Sequence, residues 1–335
     1  MLKVGIVLLA IALLLFSNTS ARCSGKRERE TFVYVGKEST CVGILDITTP
    51  VGPSKIEERN IGKTIITATW GKSISIAPDG KWIAYSSSDW TGRVDIYISS
   101  LSGDVVTIQQ TSTAGYDRWP EWSPDGAKIV FTTDLEPEAG NLLQQVCEVK
   151  VRIDTQAAIN VPRIIVGTPG YYSDPAYSPD GRNIAYLSSC VTPYGQIVVV
   201  NSTNGNQVFT VSMNGLSLVR AMSLRWRPDR RILFSAATIE NPNLDHCYLV
   251  DNYELVDVTP NETTSCMMPT WYKDEQASQQ LSNTPLRYRD KRVLFMNSNG
   301  LCTIRAGNKD LLYQFDYDYP NPQYKSPYIL PANRP

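Results

Sequence analysis

Histidine is nearly missing. The 335-residue chain has one, His246. A Ser-His-Asp hydrolase needs a histidine beside its nucleophile, and no G-x-S-x-G elbow occurs in the sequence. One histidine without clustered partners is poor material for a zinc site. No D-x-D-x-D calcium loop appears among the 33 acids. A charge of one sign is missing too: 32 lysines and arginines face 33 acids, for a net charge of −1. Nothing therefore suggests the basic stripe of a nucleic-acid binder. No apolar run reaches the roughly 20 residues of a membrane span. No stretch after residue 25 repeats convincingly with a helical period. With 42% hydrophobic and 19% charged residues, the chain still has ample material for a packed core.

The N-terminus reads as an export signal. Lys3 precedes the apolar run Val4 to Phe16, and Thr19-Ser20-Ala21 offers a small-residue cleavage site. The expectation is a signal peptide over 1–21 and a charged leader over 22–30. An uncleaved anchor and lipidation of Cys23 remain alternatives, although Arg22 before that cysteine departs from the small residue a lipid signal expects.

A unit recurs along the rest of the chain. "SISIAPDGKWIAYSS" begins at Ser73, "PEWSPDGAKIVFTT" at Pro120, "PAYSPDGRNIAYLS" at Pro175 and "LRWRPDRRILFSA" at Leu224. Its aspartates, Asp79, Asp125, Asp180 and Asp229, lie 46, 55 and 49 residues apart. In each unit a short strand ends at Ile76, Trp122, Tyr177 or Trp226, and a tight corner leads into an apolar strand such as "KIVFT". Third strands follow at "VDIYIS", "QVCEVKVRI", "QIVVVN" and "CYLVDN", and fourth strands at "VVTIQ", "RIIVG", "QVFTV" and "ELVDV". Four strands per such period is the pattern of a propeller blade.

A further unit near the C-terminus has two candidate first strands, "MPTW" within 268–276 and "PLRYR" at 285–289. The second is favoured because "LRYRDKRVLF" copies "LRWRPDRRILF" with the proline missing. The N-terminal strands "FVYVG" (32–36) and "CVGILDIT" (41–48) lack a first strand, which "YKSPYIL" (324–330) supplies. Joining them removes two open sheet edges. The expected fold class is all-β. It is a six-bladed propeller over 31–331, with blades near 31–60 plus 323–331, 65–110, 115–167, 171–213, 218–260 and 266–316.

The pattern P-x-W-S-P-D-G-x-x-I-A-F, followed by "SSSDWTGRVDIYISSLSG" (86–103), resembles the repeats of the TolB-like six-bladed β-propellers over nearly the whole chain. Such repeats also occur in the propellers of prolyl-oligopeptidase-like enzymes and of some pectate-fragment lyases. The resemblance thus implies a fold and no single task. TolB itself has an α/β domain before its propeller; here only residues 22–30 separate the export segment from the first strand. A strict TolB role is therefore not implied. The lyases look to need a histidine-rich metal site, which one histidine does not supply.

The P-D-G corners read as turn chemistry: proline presets one turn position, aspartate bonds its own backbone and glycine takes the left-handed position. Asp79, Asp125, Asp180 and Asp229 are therefore structural. His246, after "NPNLD", reads as a loop histidine. Counting back six residues from the ends of the first strands gives Trp70, Tyr116, Tyr171 and Arg220, beside Asp117, Arg118, Tyr172 and Asp174. Such a ring lines one mouth of the channel and uses residue types enriched in binding hot spots. Packing beneath the inter-blade loops is its alternative. The cysteines fit an exported protein, and blade topology pairs Cys41 with Cys302, Cys147 with Cys190, and Cys247 with Cys266.

The sequence is read as an exported, non-catalytic binding scaffold for a protein, peptide or cell-envelope component. No cofactor, metal or nucleic acid is expected, and membrane contact is expected only through an N-terminal anchor. The alternatives are a carbohydrate-active hydrolase or lyase using carboxylates at the channel mouth, and a structural subunit of a surface assembly.

Overall fold

The computed structural model describes residues 28–35, 41–49, 52–66, 74–89, 91–101, 103–136, 141–188, 195–227, 229–260, 263, 265–271, 293–297, 300–305, 308–313 and 328–329. These residues form six four-stranded antiparallel sheets. The first contains β1 (Glu28–Val35), β2 (Cys41–Thr49) and β3 (Gly52–Asn60). The second contains β4 (Ile74–Ile76), β5 (Trp82–Ser88), β6 (Val94–Ser100) and β7 (Thr107–Gln109). The third contains β8 (Asp117–Trp122), β9 (Lys128–Glu136), β10 (Asn141–Lys150) and β11 (Arg163–Gly170). The fourth contains β12 (Tyr172–Tyr177), β13 (Asn183–Ser188), β14 (Gln196–Asn201) and β15 (Gln207–Ser212). The fifth contains β16 (Leu218–Trp226), β17 (Ile232–Thr238), β18 (Asp245–Asp251) and β19 (Glu254–Asp257). The sixth contains β20 (Met267–Trp271), β21 (Val293–Asn297), β22 (Gly300–Arg305) and β23 (Asn308–Tyr313). The last strand, β24 (Tyr328–Ile329), returns to the first sheet, where Phe32 pairs with Ile329 and Val33 with Tyr328.

Second strands are apolar along their length because each serves two cores. On β9, Ile129 and Phe131 enter a cluster with Ile96 and Ile98 of the second sheet, while Val130 between them joins Tyr172 and Tyr186 of the fourth. On β13, Ile184 and Tyr186 face the third sheet, and Ala185 and Leu187 face Leu224 and Phe234 of the fifth. Period-two alternation thus appears in the sequence as a continuous apolar run, as expected for a strand buried on both faces.

The repeated aspartates close the corners. Backbone amides of Lys81, Ala127, Arg182 and Arg231 donate to the carboxylates of Asp79, Asp125, Asp180 and Asp229. The glycine after each of the first three is left-handed, with φ between 69° and 71° for Gly80, Gly126 and Gly181 at these turns. In the fifth sheet Arg230 takes that conformation with φ 67°. This hairpin is also one residue shorter: Trp226 pairs with Ile232, whereas Trp122 pairs with Ile129 and Tyr177 with Ile184. Corners of neighbouring sheets abut, since a Cβ on Gly126 would lie 3.7 Å from Pro78 and one on Gly181 3.8 Å from Pro124.

Three sequence expectations change. The first strand of the sixth sheet is Met267–Trp271, which pairs with β21; "PLRYR" at 285–289 lies outside the described residues. Its Trp271 closes a strand as Trp122 and Trp226 do, and that match outweighs the flanking likeness of "LRYR". The leader does not extend to residue 30, because Glu28, Arg29 and Glu30 pair with Thr49, Thr48 and Ile47 in β1. His246 is not in a loop: it belongs to β18 opposite Ala236. Its Nδ1 lies 2.6 Å from Asp257 Oδ2. The expected export segment 1–21 lies outside the described residues.

Candidate functional site

First strands share a defect that positions everything at their starting end. Between Arg118 and Glu121, Ser173 and Ala176, Met222 and Arg225, and Met267 and Thr270, the pairing with the second strand slips by one residue. In three of these bulges a non-glycine residue is left-handed: Trp119 at φ 54°, Asp174 at 51° and Ser223 at 58°. A left-handed tryptophan is uncommon. The extra residue reverses which face each upstream side chain takes. Counting by twos across it therefore does not preserve a face.

This bears directly on the expected ring. Tyr116 and Tyr171 stand one residue before β8 and β12, at matching positions. In the fifth sheet a second slip between Val219 and Met222 places Val219 opposite Ala237. Val219 is therefore the counterpart of Tyr116, whose carbonyl meets the Asp134 amide at 3.2 Å. Arg220 falls inside the extra bulge and is not at the equivalent position. Trp70 lies outside the described residues.

The neighbours of the ring divide by burial. Tyr171 is 51% exposed. Tyr116 is half-buried beneath Arg118, whose guanidinium carbon sits 5.3 Å from the ring centroid. Asp117, Tyr172 and Asp174 are buried, so these three are not presented to solvent as the counting had placed them. Tyr172 packs edge-on against Tyr186 at 5.0 Å, and its amide donates to Gln144 Oε1.

Two groups of carboxylates lie at this end. At the seam of the second and third sheets, Thr113 Oγ1 donates to Asp117 Oδ1 at 2.8 Å. Asp95, nearby, accepts from Gln109 Nε2 and the Thr113 amide and lies 3.7 Å from Arg93. Burial pushes the Asp117 carboxyl up to about 7; threonine hydroxyls oppose the shift and Asp95 adds to it. At the seam of the third and fourth sheets, Asp134 is sealed beneath Arg118, with Arg118 Nη1 at 3.6 Å. Burial raises its carboxyl, moderated by the Arg118 charge and the neighbouring Gln144 amide. Gly115 makes this packing possible: a Cβ there would come within 2.0 Å of the Asp134 carbonyl.

Asp134 and Gln144 were not singled out from the sequence, because they end a second strand and begin a third with no motif around them. Gly115 beside Tyr116 was the available signal. Among the described residues no three histidine, cysteine or acidic side chains gather as metal ligands.

No protein-family model matches the chain. The structure superposes on a TolB-type structure from Agrobacterium tumefaciens with a TM-score of 0.54 at 15% identity, over 91% of this chain and 99% of that one. The fold is that of the TolB-like β-propellers. Similar architecture occurs in hydrazine synthase of Kuenenia stuttgartiensis, with a TM-score of 0.54 at 15% identity, over 91% of this chain and 47% of that one. It also occurs in a puromycin-hydrolyzing peptidase of Mycobacterium tuberculosis, with a TM-score of 0.50 at 13% identity, over 88% of this chain and 55% of that one. In sequence, an uncharacterized peptidase of Bacillus subtilis, YuxL, is 31% identical over 117 residues. That match spans 32% of this chain and 16% of the relative. At these identities the likeness speaks to fold alone.

Proposed function

We propose that the chain is an exported, six-bladed TolB-like propeller that works as a non-catalytic binding scaffold. Each of the six sheets is one blade, and β24 beside β1 closes the ring; contacts of β23 with β3 and of β20 with β24 support that closure. The binding face is the end where first strands begin, and its occupant is a protein, peptide or cell-envelope component. One observation carries this reading: the carboxylates at this end are sequestered, whereas Tyr171 and Arg118 stand exposed or partly so. Asp95, Asp117 and Asp134 are 0%, 0% and 1% exposed. Aromatic and arginine side chains on a rigid frame suit recognition.

A hydrolase or lyase remains the second reading, favoured by one feature. Asp117, raised to about 7, lies near Asp95, whose carboxyl burial also raises, and a pair of perturbed carboxylates is a common acid–base arrangement. The full burial of both weighs against substrate reaching them.

Affinity capture from envelope extract tests the binding reading. Wild-type bait is compared with Y116A, Y171A and W70A, each first verified by its melting profile. The expected result is that a reproducible partner falls at least several-fold with the tyrosine variants. Equal recovery by all baits would remove this face from the proposal.

A further inference from the structure

Asp134 is a buried carboxylate neither of whose oxygens has a partner at full hydrogen-bond geometry; the Gln144 amide and Arg118 lie near enough only to moderate its charge. Such a group is costly: a desolvated charge without hydrogen bonds loses several kcal/mol of hydration. Its countercharge, Arg118 Nη1, stays 3.6 Å away, beyond the roughly 2.7–2.9 Å of a charge-assisted hydrogen bond. The Arg118 side chain is 32% exposed and rests on Tyr116. The arginine therefore caps the carboxylate from the solvent side as an ion pair without a hydrogen bond.

A third acceptor without a partner stands beside these two. Thr132 lies two residues before Asp134 on β9, on the same face, and its Oγ1 is also buried and unpartnered. Thr132 is opposite Arg118 in the pairing of β8 with β9, and Asp134 is opposite Gln144 in that of β9 with β10. Beneath them Val130 and Val146 pack on Tyr172 and Tyr186, which closes the floor with apolar groups. The result is a sealed polar cluster at the binding end: two carboxylate oxygens and one hydroxyl beneath Arg118, with the Tyr116 ring against that arginine.

From this arrangement we infer that the cluster, uncovered when Arg118 moves, is a subsite for a primary ammonium group, such as a lysine side chain of the bound partner. An ammonium has three donors, matching Asp134 Oδ1, Asp134 Oδ2 and Thr132 Oγ1. Its approach past the Tyr116 face adds a cation–π contact. Arg118 holds the place in the unliganded protein and swings outward when the ligand's amine enters, since at 3.6 Å it is held by charge and not by a hydrogen bond. The acidic cluster thereby selects a cationic residue of the partner, and an acidic or neutral side chain leaves the buried acceptors unpaired. This inference rests on the binding role proposed above for the same face.

The test uses the full chain and a defined probe, N-acetyl-lysine methylamide, with N-acetyl-norleucine methylamide as the neutral control, followed by ligand-observed NMR titration. Expected are weak saturable binding of the lysine probe and no binding of the norleucine probe. Binding should tighten about tenfold in R118A, where the internal competitor is gone, and disappear in D134N. T132V removes the third acceptor without touching charge and should weaken binding several-fold; it keeps the test decisive if an Asp134 or Arg118 variant fails to fold. Equal binding of the two probes, binding that survives D134N, or an unchanged affinity in both R118A and T132V overturns the subsite. If the subsite fails while envelope capture still depends on Tyr116 and Tyr171, the binding face stands and only its amine specificity falls. If capture is also indifferent to the tyrosines, the binding reading itself falls.

Discussion

The Tyr177 hydroxyl donates to Glu148 Oε2 at 2.5 Å across the seam between the third and fourth sheets. Lys128 Nζ reaches the other carboxylate oxygen at 3.0 Å and Arg163 at 2.9 Å. Arg163 continues to the carbonyls of Ser202 and Thr203 in the fourth sheet. One buried carboxylate thus buckles two sheets at the corner end, beside a cleft of about 290 Å³ lined by Pro124, Asp125 and Asp180.

Removing the Tyr177 hydroxyl should be costly. Y177F preserves the apolar packing and deletes one hydrogen bond to a charged group, for an expected loss of about 1.5–3 kcal/mol. Burial pushes the Glu148 carboxyl up, but the bonds from Tyr177, Lys128 and Arg163 outweigh it and hold it below the ordinary value. With the folded value depressed, its stabilisation is present above about pH 4.5 and is lost as pH falls through the folded value. Urea unfolding at pH 7 and pH 3 checks both statements: the Y177F deficit should shrink at the lower pH. A Y177F protein as stable as wild type at pH 7 would contradict the buckle.

Asp117 has the opposite sign. Its folded value near 7 lies above the unfolded value of about 3.9. Its favourable neutral form is fully present below about pH 4, and the benefit is lost as pH rises through 7. D117N keeps an acceptor for Thr113 and cannot ionise. It should match wild type near pH 4 and exceed it by up to a few kcal/mol at pH 8. Denaturation midpoints across that range decide it, and D117N less stable at pH 8 would refute it.

Arg230 reaches Asp180 Oδ2 at 3.2 Å from the next corner along. The pair is solvent-exposed on the arginine side and worth less than about 1 kcal/mol. Arg230 also carries the cost of a left-handed backbone, roughly 1 kcal/mol. R230G should therefore leave stability unchanged or slightly raised. G181A, at φ 69°, should lower it by about 1 kcal/mol. Thermal melts of the two variants test whether backbone conformation or the ion pair dominates these corners.

The bridge between Cys247 and Cys266 stays a proposal, and no disulfide joins them in this structure. Both are buried, and Cys247 Sγ lies 3.7 Å from the Cys266 carbonyl. Burial and then the Cys266 side chain push the Cys247 thiol well up, so pairing would depend on a disulfide-exchanging oxidant. Non-reducing peptide mapping of protein made in an oxidising compartment should recover the 247–266 linked peptide. Alkylation of both cysteines without prior reduction would exclude it. Cys41 is buried, and Cys190 lies outside the described residues; the 41–302 and 147–190 pairings stay proposals for the same map.

Strands and corners were legible in advance because their causes are local. Proline, aspartate and glycine in succession specify the turn whatever surrounds it. Alternation over a few residues specifies a strand facing two cores. The first strand of the sixth sheet was misplaced for the same reason: "LRYR" copies a local flank, while Trp271 earns its place only by pairing with Val293.

What the sequence by itself determined is the repeat, its strand order and the structural role of Asp79, Asp125, Asp180 and Asp229. Tertiary structure alone decided which side chains meet across the seams. One extra residue in four of the first strands reverses the facing of everything upstream, and the left-handed turn at Trp119 or Asp174 follows no local composition rule beyond the proline after each. Asp134 sealed below Arg118 and Tyr177 on Glu148 join segments from different strands or sheets. Their contact depends on how twisted sheets pack, a property held by no short stretch of chain.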